Sequence, residues 1–387
     1  RVLRKVKQGI HINQLLILTF TNKAAMEMQA RIRQKLMKEN FQEELLLMDN
    51  SYITTFDSFS LSVVRKYADF LHVSSNITIA ENSVLQLAKQ KLIDELFLEY
   101  YQNPTPNFEK MIHLLCLKDD KSLKNIILEL DDKMDLLLNR DEYIEKYMDW
   151  YYSPSNLNHY ITLYNQVLDQ KINALEEEYQ IVLSYSEGKF QEKLHVLLDP
   201  FFSEQEYQKR KEKLPSALPN LPKNSSEELK TSKTKLAKML KEIHSYFSYQ
   251  DEKEIYEKLF STKELAEFII ECITRLNQKI KAYKEEKQYY TFLDIEKMAI
   301  ELVRDFEEVR NELRDSFQEI LIDEYQDTND IQECFISYIA KHNVYMVGDI
   351  KQSIYRFRNA NPLIFKDKYD RYKQHDDGMV IDLVKNF

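Results

Sequence analysis

Residues 320–328, ILIDEYQDT, are the stretch on which the fold of this chain turns. An apolar run of strand length ends in Asp323-Glu324. This sets two carboxylates at a strand's C-terminal edge, where open α/β sheets take their ligands. In a nucleotide site the first carboxylate holds Mg²⁺ and the second orients or deprotonates a water attacking the γ-phosphate. Alone, the pair also reads as an acidic turn after a buried strand. The string gains weight from residues 347–362, VGDIKQSIYRFRNANP, which begin nineteen residues beyond Thr328. There a strand ends at Val347, Gly348-Asp349 turns the chain, and Gln352, Tyr355, Arg356, Phe357 and Arg358 crowd together. An amide able to touch a phosphate oxygen stands beside aromatic and cationic groups suited to holding a nucleic-acid strand. Spacing alone leaves open that these aromatics are core residues, the usual fate of Phe and Tyr.

Outward from this stretch, both chain ends alternate strands with helices. Residues 14–20 (QLLILTF) form a continuous apolar run, followed by the helical periodicity of AAMEMQARIRQKL. Residues 52–56 read as a second strand before a helix over 58–70. After the 319–323 strand come a helix over 331–340, a strand at 344–347, a helix over 362–372 and a final strand at 379–384. Such alternation predicts βαβ units on one parallel sheet built from both ends. From about residue 80 to 287 the pattern is almost all helical, broken at Pro104, Pro106 and Pro200, with a flexible proline-rich loop over 214–226. The expected architecture is α/β: a parallel sheet flanked by helices over 1–79 and 288–387, carrying an all-α insertion over 80–287.

Composition narrows the classes. The chain has 387 residues, 30% of them charged and 43% hydrophobic, which suits a globular protein of two or three domains. No apolar run approaches the ~20 residues that span a bilayer, so no membrane association is expected. Three widely spaced cysteines argue against a disulfide framework or a cysteine metal site and fit a reducing cytoplasm. The eight histidines show no metal-ligand spacing. Glycine, at four residues, lies far below the usual ~7%, and no phosphate-cradling glycine loop is present. The net charge of −10 argues weakly against nucleic acid, although local patches rather than totals decide binding.

Four strings together carry a resemblance: TFTNKAAMEMQARI at 19–32, TTFDSF at 54–59, IDEYQDT at 322–328 and VGDIKQSIYRFRNA at 347–360. In order and wording they resemble successive motifs of the UvrD-like superfamily 1 DNA helicases, and within these the AddA/RexA family of the AddAB (RexAB) helicase–nucleases. FLDIEKMA at 292–299 is a weaker echo of a further motif. The resemblance covers roughly the first 75 and last 100 residues and says little about the helical middle. It implies a RecA-like motor domain of the P-loop NTPase type, with the middle segment as a 1B-like domain, in an ATP-dependent helicase that processes double-strand breaks for recombinational repair. ATP and Mg²⁺ are the implied cofactors. The implied partners are single-stranded and duplex-end DNA and an AddB/RexB-like subunit. An exonuclease activity is implied for the complete protein.

Carried across residue by residue, the resemblance assigns Asp323 to Mg²⁺, Glu324 to activation of the hydrolytic water and Gln352 to sensing the γ-phosphate. Thr19, Phe20, Thr21, Asn22 and Lys23 match the motif that contacts single-stranded DNA. Thr55, Asp57, Ser58 and Phe59 match the next DNA-facing motif, where many relatives carry His at the position of Asp57. Tyr355, Phe357 and Arg358 match the stacking region, where many relatives have Trp in place of Phe357. The family's nucleotide loop is expected just before Arg1, and a second motor and a nuclease domain beyond Phe387. By itself, therefore, the chain is expected not to hydrolyse ATP. Other readings stay open on sequence: a non-catalytic DNA-binding or subunit-docking module, a RecB-like or UvrD-like repair helicase, or another nucleotide-using protein.

Overall fold

A computed structural model of the chain describes residues 1–116, 118–355, 359–374 and 377–382. It divides into two units, Arg1–Pro104 with Lys118–Arg140 and Cys272–Phe387, and Thr105–Leu117 with Asp141–Glu271. No helix among the described residues is long and apolar enough to cross a membrane.

The first unit holds the sheet. Its strands are β1 (Leu15–Thr19), β2 (Tyr52–Thr55), a short pair β3 (Thr78–Ile79) and β4 (Tyr289–Tyr290), then β5 (Glu319–Ile322) and β6 (Val344–Met346). Four of them form one sheet in the order β2-β1-β5-β6, all parallel. β1 is buried along its whole length. Leu16 and Leu18 join Phe59, Ile300, Val303, Ile320 and Ile322 on one face, and Leu15 and Ile17 join Ile12, Leu36, Met48 and Ile53 on the other. A central parallel strand covered on both faces has no room for alternating polar residues, so it reads as an unbroken apolar run.

The helices that cover the sheet start where the sequence supplies caps. Thr21 accepts the Ala24 N–H at the head of Asn22–Lys38, and Thr55 accepts the Ser58 N–H at the head of Phe56–Lys66. Thr291 with Asp294 and Asn329 with Gln332 form reciprocal capping boxes on Phe292–Asp305 and Asp330–Ile339. At the sheet edge opposite the strand C-termini, buried Glu319 pairs with Arg1 and with Lys5 at 3.1 Å, anchoring the first helix.

The expected 80–287 helical segment distributes over both units. Residues 80–104, 118–140 and 272–287 cluster with the sheet. Buried charges knit them together: Lys89 Nζ lies 2.8 Å from Asp131 and 2.7 Å from Asp132, and Arg140 Nη2 lies 2.6 Å from Asp131. Lys284 lies 2.8 Å from Asp294 on the following helix. β3 and β4 pair in parallel at the points where the segment leaves and rejoins the sheet-bearing chain.

The second unit is helical among its described residues. Ile161, Leu168, Ile172, Leu175, Tyr179 and Val182 on Pro154–Ser184 pack with Leu229, Leu236, Leu240, Ile243 and Phe247 from Glu227–Tyr246 and beyond it. These three- and four-residue steps are those of a coiled-coil seam. The antiparallel sense is fixed by Tyr164 Oη donating to the Tyr246 carbonyl at 2.5 Å, Lys171–Glu242 at 2.7 Å and the Lys235–Glu178 pair.

Three local expectations differ. Pro200 sits inside the helix Gly188–Phe202 rather than breaking it: the helix ends two residues later, so only the bond that an N–H at this place would give the Val196 carbonyl is lost. The 214–226 loop is pinned rather than loose, since Leu214, Leu218 and Leu221 pack on the helical core and His244 Nε2 lies 2.9 Å from the Pro215 carbonyl. The described part of the expected last strand, 379–382, has no ladder partner, and Met379 and Ile381 are exposed; residues 383–384 lie outside the described residues.

Phe59 is 1% exposed and meets Phe317, Phe335 and Tyr52 at ring-centroid distances of 5.8–5.9 Å. Truncation to alanine is expected to cost ~3–5 kcal/mol in denaturant unfolding. A loss below ~1 kcal/mol would show that the ring is not part of the core.

Candidate active site

Parallel pairing brings the C-terminal ends of all four strands to one edge, with Thr19 in register with Thr55, Leu18 with Ile322 and Ile322 with Met346. Asp323 leaves β5 there, its N–H donating to the Leu18 carbonyl at 3.0 Å. Its Oδ1 accepts the Glu324 N–H at 3.1 Å. Burial is the main cause of a raised Asp323 pKa, opposed by that backbone hydrogen bond and assisted by the charge of Glu324. Glu324 takes a left-handed backbone, φ 51°, unusual for a residue with a side chain. The kink swings the chain into a short 3-10 turn, Tyr325–Asp327, whose residues are all buried.

That turn is the polar floor of the site. Tyr325 N–H donates to the Val347 carbonyl at 2.8 Å, and Tyr325 Oη donates to Glu333. Gln326 Nε2 donates to Glu324 Oε2 at 2.7 Å, while Gln326 Oε1 accepts the Asp349 N–H at 3.0 Å. Gln352 Nε2 in turn donates to Asp349 Oδ2 at 3.0 Å. This hydrogen bond, with that from the Lys351 N–H, holds the Asp349 carboxyl below its ordinary pKa. Asp327 goes the other way: burial and the charge of Glu324 raise it, against the lowering influence of Ser353, Gln326 and the Tyr355 amide.

Beside this floor lies an aromatic pair, Phe20 and Tyr355, with ring centroids 4.5 Å apart. Thr21, Asn22 and Lys23 are exposed next to it. Thr19 is buried and donates through Oγ1 to the Thr21 carbonyl at 3.1 Å, so it shapes the turn rather than meeting a ligand. Ser58 is exposed and Asp57 half-buried, but Thr55 is buried as a helix cap and Phe59 faces the core, offering no ring to a base. Phe357 and Arg358 lie outside the described residues.

Four polar residues of the region escaped the sequence reading: Gln326, Asp327, Ser353 and Glu296. Glu296 lies beneath Asp57 and is 7% exposed. It accepts from Gln332 Nε2 at 2.8 Å. Burial pushes its carboxyl up to about 7; the Gln332 hydrogen bond lowers it, and the charge and hydrogen bond of Asp57 raise it. Only the burial of the EYQDT turn makes such residues stand out, and no periodicity announces that burial.

The donor set around Asp323 fits Mg²⁺ in the way a nucleotide site uses it. Mg²⁺ keeps several waters and takes one or two carboxylates together with substrate phosphates, and no cluster of three ligating side chains exists among the described residues.

This α/β chain carries paired carboxylates, an amide-bearing loop and an aromatic pair at one edge of its parallel sheet, and it belongs to the UvrD/REP helicase N-terminal domain family, matching it over residues 1–373. It is similar to the ATP-dependent helicase/nuclease A-subunit of Streptococcus pneumoniae (strain ATCC 700669 / Spain 23F-1), 29% identical over the whole of this chain and 35% of that protein. The corresponding ATP-dependent helicase/nuclease A-subunit of Clostridium novyi (strain NT) is likewise 29% identical over the whole chain and 35% of its own length. The exonuclease/helicase subunit RexA of S. pneumoniae serotype 4 (strain ATCC BAA-334 / TIGR4) is 28% identical over the same shares. The chain thus spans about a third of the length of these curated relatives.

Proposed function

We propose that this chain is the first RecA-like motor portion of an ATP-dependent DNA helicase subunit, with its helical middle as an insertion domain. The complete protein would be a helicase–nuclease of the cytoplasm. It would couple ATP hydrolysis to movement on single-stranded DNA at double-strand ends, together with an AddB/RexB-like partner. The observation that carries this reading is that Glu324, Gln352 and the Phe20–Tyr355 pair meet on one connected loop system at the sheet edge.

In this reading Asp323 holds Mg²⁺, which when bound neutralises phosphate charge. Glu324 takes the proton of a water whose oxygen bonds to the γ-phosphorus as the bond to the ADP oxygen breaks. Gln352 senses the γ-phosphate by donating to its oxygens. Phe20 and Tyr355 offer aromatic faces to bases, and Lys23 offers charge to the backbone.

The test is single-stranded DNA binding by the full-length protein. Tyr355→Ala is expected to weaken it by ~1–3 kcal/mol on every sequence with an unchanged salt slope. Lys23→Ala is expected to lower the slope by ~0.7 for one lost phosphate contact. Unchanged affinity and slope in both variants would refute the proposed interface.

A further inference from the structure

Resting on the reading just given, we propose that Gln326 is a positioning residue that sets the orientation of Glu324 according to the position of the 348–352 loop, so that hydrolysis follows what that loop binds. Gln326 touches neither nucleotide nor DNA in this scheme and acts through the residues on either side of it.

The buried amide is fully used. Its two N–H groups serve Glu324 Oε2 at 2.7 Å and Asp327 Oδ2 at 3.3 Å, and its oxygen takes the Asp349 N–H at 3.0 Å. These partners fix which end of the amide is which, because a flipped amide would set its carbonyl against two carboxylates and its NH₂ against an N–H. Gln326 is 1% exposed, so the amide has no water to replace a lost partner. A second observation lies across the contact at Gly348. A Cβ built there would stand 2.5 Å from Gln326 Oε1 and 3.2 Å from the Gln326 backbone nitrogen. The close approach of the two loops therefore needs a glycine at this place, in a chain that has four.

The links continue in both directions. Asp349 accepts Gln352 Nε2 at 3.0 Å on its far side, so one hydrogen-bonded path runs Glu324, Gln326, Asp349, Gln352. Ser353 Oγ lies 3.4 Å from the Gln326 carbonyl, and Tyr355, three residues beyond Gln352, packs its ring at a tilt against Phe20. At the other end Glu324 is held in a left-handed backbone that persists only where neighbours over-determine it. A displacement of the 348–352 loop moves the Asp349 N–H, and through it the amide that aims the Glu324 carboxylate. A general base aimed wrongly by about 1 Å loses rate without losing substrate binding.

The experiment compares the full-length wild type with Gln326→Ala and Gln326→Glu, measuring ATP turnover with and without single-stranded DNA, the KM for ATP and the Kd for DNA. Gln326→Glu keeps an oxygen for the Asp349 N–H and the shape of the side chain, but sets a carboxylate oxygen against Glu324. Both variants are expected to lose DNA-stimulated kcat by ~10–10²-fold while KM and Kd stay within ~2-fold. If Gln326→Ala does not fold, the isosteric Gln326→Glu decides alone on the same readouts. A wild type whose turnover ignores DNA would overturn the functional reading itself. A stimulated wild type with equally stimulated variants would overturn the role of Gln326 alone. Turnover and binding that fall together would make Gln326 merely structural and overturn the proposal as well.

Discussion

Glu324→Gln is expected to lower ATP turnover of the full-length protein by ~10²-fold or more while nucleotide binding is retained. The isosteric amide keeps the kinked backbone and a carbonyl oxygen for Gln326 Nε2, which donates to Glu324 Oε2 at 2.7 Å, but it cannot accept a proton from water. Asp323→Ala should behave differently. Its carboxylate leaves the end of β5 at the ligand edge, so its loss should weaken Mg²⁺-dependent nucleotide binding before it touches the chemical step. Steady-state kinetics alongside nucleotide titration with and without Mg²⁺ separates the two. Equal losses of binding and turnover in both variants would refute the division of labour.

The second large effect concerns pH. The Glu296 carboxyl, pushed from 4.5 up to about 7, holds a proton in the folded state that the unfolded chain releases between those values. A raised carboxyl pKa contributes stability that is complete below the unfolded value and is lost as pH rises through the folded one. The span corresponds to about 3 kcal/mol. Glu296→Gln cannot titrate, yet it can still accept from Gln332 and donate to Asp57 as the protonated acid does. Between pH 4.5 and 8 the wild type should therefore lose about 3 kcal/mol relative to the variant in urea unfolding. Parallel pH profiles for the two proteins would show that Glu296 titrates as an ordinary surface carboxyl.

Much of the sheet was legible because its two central strands, β1 and β5, are largely buried. Leu15–Leu18 and Ile320–Ile322 carry unbroken apolar runs, and Asp323-Glu324 follows at the edge where ligands bind. Helix starts were legible less sharply. The sequence placed a helix at 58, whereas the Thr55 cap begins it at Phe56. Residue type alone singled out Glu324 and Gln352, and the structure sets both on one hydrogen-bonded path. The site was unreadable where burial decides. Phe59 has the same local string whether it stacks on a base or fills the core, and only the far sequence supplying Phe317 and Phe335 settles the matter. Gln326 looks like any loop glutamine until the turn buries it against Gly348. The proposed boundaries at 80 and 287 follow composition, whereas residues 80–104 and 118–140, which cluster with the sheet, are tied to one another through Lys89, Asp131 and Arg140, charged residues that composition assigns to surfaces.

The pairing of β1 with β5 has a consequence for how the chain is made. Leu15 to Leu18 lie opposite Glu319 to Ile322, about 300 residues later. At ~5–20 residues per second a ribosome needs roughly 15–60 s to deliver the second strand after the first. Through that interval β1 can pair only with β2, leaving an apolar edge of the kind that recruits other chains. Residues 105–117 and 141–271, which form a unit of their own, emerge complete within that interval. The sheet thus closes only once β5 has emerged, and until then β1 carries an unpaired apolar edge.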